Sequence, residues 1–206
     1  MPLPFALPQA HGAAGDFWYS AAPMDLRADA ILPSPRDRAF RVYRDDLLRL
    51  LPFLPNVRGI DVKSRTENGT VVEFVNEWHG GGDIPAAARA VLGDAVLSWT
   101  DYASWRNDDF WCDWKTTTHA FTEAVRCSGR TRFVADGPDK TLLEVRGSLD
   151  IDATKIRGVP SFLAPKMGRI AEDFLVTKIQ TNLAETAKGL ATYLASAVNV
   201  PNGANA

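Results

Sequence analysis

The 206-residue sequence predicts a single α+β domain. A curved, seven-stranded antiparallel sheet wraps a long C-terminal helix, with two short helices after the first strand. Three observations carry this. Seven stretches alternate polar and apolar residues, the period of half-buried strands; a proline-bounded helical stretch follows the first of them; and the last part of the chain changes to a period of 3.6. Strands joined by short connections form an antiparallel meander, and a long amphipathic helix must bury its stripe on one face of it.

The elements follow in order. Residues 1–24 are rich in Pro, Ala and Gly and read as a tail whose Phe17-Trp18-Tyr19 patch can dock on the domain. Asp25 to Leu32 alternates and ends at Pro33. Ser34-Pro35-Arg36-Asp37 offers an N-cap followed by proline at the first helical position. Phe40, Tyr43, Leu47, Leu48 and Leu51 continue at helical spacing, broken near Asp45 and stopped by Pro52 and Pro55. Strands at 57–64 and 70–78 are joined by Glu67-Asn68-Gly69, a hairpin signal. Gly80-Gly81-Gly82 opens a segment over 80–94 that reads as a short helix on a hinge, a lid over a cavity mouth. Further strands fall at about 95–105, 109–118, 121–135 and 140–152. The final helix runs from Pro160 to about Val198, free of Pro and Gly over 169–188, and 199–206 reads as a second tail. The folded domain therefore spans 25–198.

Composition limits what this domain does. With 46% hydrophobic and 23% charged residues the chain is neither disordered nor a membrane span. A net charge of −2 provides no basic field for nucleic acid or an anionic membrane. No transmembrane segment is expected, and Arg27, the first cation, comes too late for a secretory leader, so the expected compartment is the cytoplasm. Cys112 and Cys127 match no metal spacing; a turn centred at His119-Ala120 would set them opposite each other on neighbouring strands. Neither histidine spacing nor a cluster of ligand types suggests a metal, and no cofactor is expected.

Three stretches carry a resemblance to a known superfamily: Leu32-Pro33-Ser34-Pro35-Arg36-Asp37-Arg38-Ala39-Phe40, Leu50-Leu51-Pro52-Phe53-Leu54-Pro55-Asn56-Val57, and Gly147-Ser148-Leu149 ahead of the terminal helix. Over residues 25–196 the chain resembles the START-like or SRPBCC domains, which include birch-pollen-allergen-like proteins and the polyketide cyclase/dehydrase and lipid transport proteins. That resemblance implies the helix-grip fold, a hydrophobic cavity and no obligatory catalytic motif.

Strand parity then nominates a lining. On the more apolar parity Phe74, Asn76 and Trp78 face inward from strand three; Trp99, Asp101 and Trp105 from strand four; Phe110, Cys112, Trp114 and Thr116 from strand five; Cys127 from strand six; Val145 and Leu149 from strand seven. Phe162, Met167 and Phe174 of the last helix face the same space. Five of the six tryptophans lie between 78 and 114, fitting a pocket for an apolar or aromatic ligand as well as plain core packing. Asp101 and Asn76 are the inward polar residues, a general base or a ligand anchor, unless a bulge turns Asp101 outward and brings Tyr102 or Asp113 inward. His79, at the end of strand three, is a candidate proton shuttle, and His119, at a turn, a weaker one. The expected partner is a hydrophobic small molecule: a lipid, a sterol-like compound or an aromatic or polyketide metabolite. A carrier or sensor needs only the cavity; a polyketide cyclase/dehydratase-type enzyme would add acid/base help from Asp101, His79 and Asn76. A third reading makes the domain a protein-interaction module contacting its partner through the aromatic tail.

Overall fold

The computed structural model describes residues 24–81, 97–120, 122–152, 155 and 164–198, with the last helix's side chains described from 173 to 196. The predicted tails, apart from Met24, and all of the 80–94 lid beyond Gly81 lie outside the described residues.

The seven strands are β1 (Met24–Leu32), β2 (Val57–Asn68), β3 (Val71–Gly80), β4 (Ser98–Arg106), β5 (Trp111–Thr118), β6 (Val125–Ala135) and β7 (Thr141–Ile151). They form one antiparallel sheet in the order β1-β7-β6-β5-β4-β3-β2. From β2 to β7 the chain meanders, each strand beside its predecessor. β1 joins at the far edge, because helix α1 (Arg36–Asp45) and a 3₁₀ helix (Leu47–Phe53) carry the chain across to β2. Helix α2 (Ala164–Val198) packs against β1, β7 and the 3₁₀ helix. This is the seven-stranded helix-grip architecture that the alternation and the terminal helix predict.

One expected cap moves. Pro35, not Ser34, occupies the N-cap of α1, and its carbonyl accepts the Ala39 N–H at 3.0 Å with no side chain capping the turn. Ser34 is instead buried, its carbonyl accepting the Thr141 hydroxyl at 2.8 Å, which ties the β1–α1 corner to β7. The β2–β3 hairpin closes one residue later than the Asn-Gly signal suggests. Asn68 pairs with Val71, leaving Gly69-Thr70 as a two-residue loop with Gly69 at φ 59°, the arrangement of a type II′ turn.

Phe110 is not on β5. It closes the β4–β5 turn at φ 56°, a region costly for a bulky side chain, and is held there by packing. Its ring meets Phe40 edge-on at 5.4 Å, and the Arg36 guanidinium lies 3.7 Å from its centroid. Phe40 also meets Trp105 and Phe133 edge-on, each at 5.3 Å, so α1 plugs one end of the sheet with an aromatic cluster.

The cysteines do not face each other. Cys112 pairs with Thr131 and Cys127 with Thr116, an offset of four residues, because the β5–β6 connection is longer than a tight turn at His119-Ala120. Both thiols are free and buried.

β1, an edge strand, is covered by a side chain. The Arg27 N–H donates to Gln180 Oε1 of α2 at 3.1 Å, and Gln180 Nε2 donates back to the Arg27 carbonyl, so the amide mimics a further strand.

Candidate functional site

Between the inner face of the sheet and α2 lies a cavity of about 170 Å³. Antiparallel pairing builds its floor in rows that cross the strands. One row is polar: Asn76 pairs with Asp101, Asp101 with Thr116, and Thr116 with Cys127. The row beside it runs Phe74, Ala103, Trp114, Gly129 and Gly147. On the other flank of the polar row Trp78 pairs with Trp99, their rings stacked at 5.8 Å and 13°. α2 forms the roof with an apolar stripe, Leu175, Ile179 and Leu183, and beside it a mixed stripe, Phe174, Lys178, Asn182 and Thr186.

The inward residues nominated by parity divide cleanly. Phe74, Asn76, Trp78, Trp99, Asp101, Trp105, Trp114, Val145 and Phe174 line the cavity. Leu149 is fully buried in a neighbouring apolar cluster and does not reach the cavity. Phe110 serves the α1 plug described above, and the side chain of Met167 lies outside the described residues. His79 points the other way: strand alternation puts it on the outer face, where Nε2 lies 3.0 Å from Asp61 Oδ2. His119 is on that face too, its Nε2 2.9 Å from the Thr100 hydroxyl. Neither histidine is available to the cavity.

Asp101 is the chemically distinctive group. It is half-buried and lines the cavity. Burial raises its pKa from 3.8 to about 7, and a hydrogen bond from the Asn76 side chain offsets part of that rise. Near neutral pH the carboxyl therefore exists in both forms and can give or take a proton. Its surroundings respond to it. Burial first, then the Asp101 charge, pushes the Cys127 thiol up to about 12, and Tyr43 and Cys112 are shifted upward for the same two leading reasons. The thiols are therefore protonated and no nucleophiles.

Among the described residues, three buried polar atoms on lining residues have no partner: Asn76 Oδ1, Trp78 Nε1 and Asn182 Oδ1. Two acceptors and one donor thus point to hydrogen bonds that the described residues do not supply, and buried polar groups are otherwise paired.

Sequence reading missed the roof's polar members, Lys178 and Asn182, and Tyr43 on α1. The spacing 174, 178, 182, 186 runs one residue ahead of the apolar stripe 175, 179, 183, 187, and that parallel polar line was the available signal. Asn56, at the entry to β2, also lines the cavity, and its carbonyl accepts the Gly81 N–H at 2.8 Å.

On the outer face Asp61, Glu77 and His79 bring ligand atoms within 4.8 Å of one another, a set able to hold a metal ion. The Lys63 ammonium already sits among them, 2.7 Å from Glu77 and 3.6 Å from Asp61.

A curved antiparallel sheet closed over a long helix, with a cavity between, defines the helix-grip fold. No protein-family model matches the chain, and no curated protein matches it. Solved structures share the fold. The chain is similar to the Zhui aromatase/cyclase from a Streptomyces species, with a TM-score of 0.66 and 15% identity over 88% of this chain and 99% of that one. It is similar to a protein from Thermus thermophilus at TM-score 0.61 and 18% identity, covering 84% and 99% of the two chains. A norcoclaurine synthase point mutant from Thalictrum flavum, in complex with a transition-state analogue, aligns at TM-score 0.58 and 11% identity over 86% and 98%. Among the described residues no helix is long and apolar enough to cross a membrane.

Proposed function

We propose that this protein binds a hydrophobic small molecule in the cavity between sheet and α2, as a carrier or sensor. The observation that carries the reading is the coexistence of a tryptophan-rich lining with unpartnered polar atoms on Asn76, Trp78 and Asn182. Apolar walls supply affinity and a few fixed polar groups supply orientation. Fold neighbours that act as an aromatase/cyclase or bind a transition-state analogue support the same use of the space. The test is native purification from the producing cell, solvent extraction and mass spectrometry of what is released. A single retained apolar compound, lost from Trp99→Ala, is the expected result; a ligand retained equally by Trp99→Ala would remove the cavity from the account.

A second reading, a cofactor-independent cyclase/dehydratase-type enzyme, is favoured by one observation: the Asp101 carboxyl faces the cavity with a pKa of about 7. A general acid/base works best when its pKa lies near the working pH. Asp101 would take a proton from a carbon or hydroxyl of the bound molecule and return it to the leaving oxygen, while Asn76 orients the carboxyl. Asp101→Asn preserves shape and loses proton exchange. Unchanged ligand affinity with turnover abolished marks the enzyme, whereas a bound compound recovered chemically unaltered after incubation with wild type marks the carrier.

A further inference from the structure

We infer that Trp114 sets the shape limit of the cavity, so that the site takes a flat aromatic ring bearing a hydroxyl or carbonyl at its edge and discriminates against puckered, saturated rings of the same skeleton. This deepens the ligand-binding reading above and rests on it. Trp114, Gly129 and Gly147 are direct cross-strand neighbours on β5, β6 and β7. The indole leans from β5 across β6 to β7, at the level where the side chains of those strands would otherwise begin. A Cβ on Gly147 would stand 2.7 Å from Trp114 Cη2, and one on Gly129 would collide with Cζ2. Each substitution would also drive a carbon into backbone, the Ser128 carbonyl at 2.7 Å for Gly147 and the Arg146 carbonyl for Gly129. Two consecutive bare positions in one row let the large ring of Trp114, which lines the cavity, lie low over β6 and β7.

The polar row is the next one along, so a ring resting on Trp114 places an edge substituent beside Asp101 and Thr116. A hydroxyl there donates to the Asp101 carboxylate, and a carbonyl accepts from the protonated carboxyl, the cavity-lining group of the adjacent row. Stacking rewards planarity, because only a flat ring brings all its atoms to contact distance with the indole at once.

A matched pair of probes tests this: a naphthol, and its fully saturated decalin alcohol with the same carbon skeleton and hydroxyl. Titration calorimetry on the wild type should show the naphthol bound about tenfold more tightly, the order expected for one aromatic stack. Trp114→Leu should bind both probes with that preference lost, and Trp114→Phe should restore most of it. Equal affinities in the wild type, or a preference that survives Trp114→Leu, would overturn the assignment of Trp114. Binding of neither probe to the wild type would bring down the cavity-binding reading itself, and this inference with it. Thermal melts of each variant report whether the fold has been kept.

Discussion

Asp101 holds its proton to a higher pH in the folded chain than in the unfolded one, and the consequence for stability has a definite sign. The protonated carboxyl is tolerated in the cavity and the ionised one is not, so its stabilising contribution is complete below about pH 4 and is lost as the pH rises through about 7. A rise from 3.8 to about 7 corresponds to up to about 4 kcal/mol, less where cavity water reaches the carboxyl. Asp101→Asn should therefore melt higher than the wild type at pH 8, by on the order of 5 °C, and the gap should close at pH 4. A gap of equal size at both pH values, measured by calorimetric melts, would show that Asp101 is not the buried acid described. The inward direction of Asp101 follows from the alternation of β4, but the sequence left open a bulge that would turn it outward; β4 pairs with both neighbours without a register shift, and that settles the direction. What the residue types do not carry is the strength of its burial, because that depends on the roof, and the roof was read for its apolar residues alone. Phe110 escaped for a different reason: alternation extends past the end of a strand whenever a turn residue happens to be aromatic, and only the backbone reveals that the chain has already turned.

At the scale of elements, the contact between α2 and β1 is open to direct test. Gln180 satisfies both the N–H and the carbonyl of Arg27 on the free side of the edge strand. Gln180→Ala removes two hydrogen bonds that are partly open to water, each contributing about 1 kcal/mol. We expect a modest fall in melting temperature and faster hydrogen exchange at the Arg27 amide, with the amides of Leu26 and Ala28, which face β7, unchanged. Faster exchange along the whole of β1 would mean instead that the strand as a unit depends on the helix. Strands, hairpins and the terminal helix were readable from periodicity and turn residues because each signal is local. The pairing of the cysteines was not, since a cross-strand register depends on loop length, and the β5–β6 connection proved longer than the tight turn its residues suggested.

For the molecule as a whole, the two thiols serve as reporters. Cys112 and Cys127 sit four residues apart in register, roughly 13 Å along the strands at the usual rise, beyond the reach of a disulfide. Both are buried, and their raised pKa values leave almost no thiolate at pH 8. A charged thiol reagent should label the native protein no faster than it unfolds, and an apolar ligand in the cavity should slow labelling further. Fast labelling of one cysteine in native buffer would reveal a route into the cavity wide enough for a charged reagent. Protection by an added aromatic probe would at the same time locate that probe, because both sulfur-bearing residues line the cavity.

The pairing of β1 with β7 also dictates when the cavity can exist at all. During synthesis β2 through β7 emerge in the order in which they pair, so the meander can grow strand by strand. Met24 to Leu32, made before any of them, must wait for Thr141 to Leu149, and their joint edge must then wait for Gln180, 153 residues beyond Arg27. Long-range closures of this kind are slow and leave apolar strand faces open in the interim. The cavity is thus completed only after α2 has emerged, and a nascent chain halted before α2 would have a floor with no roof.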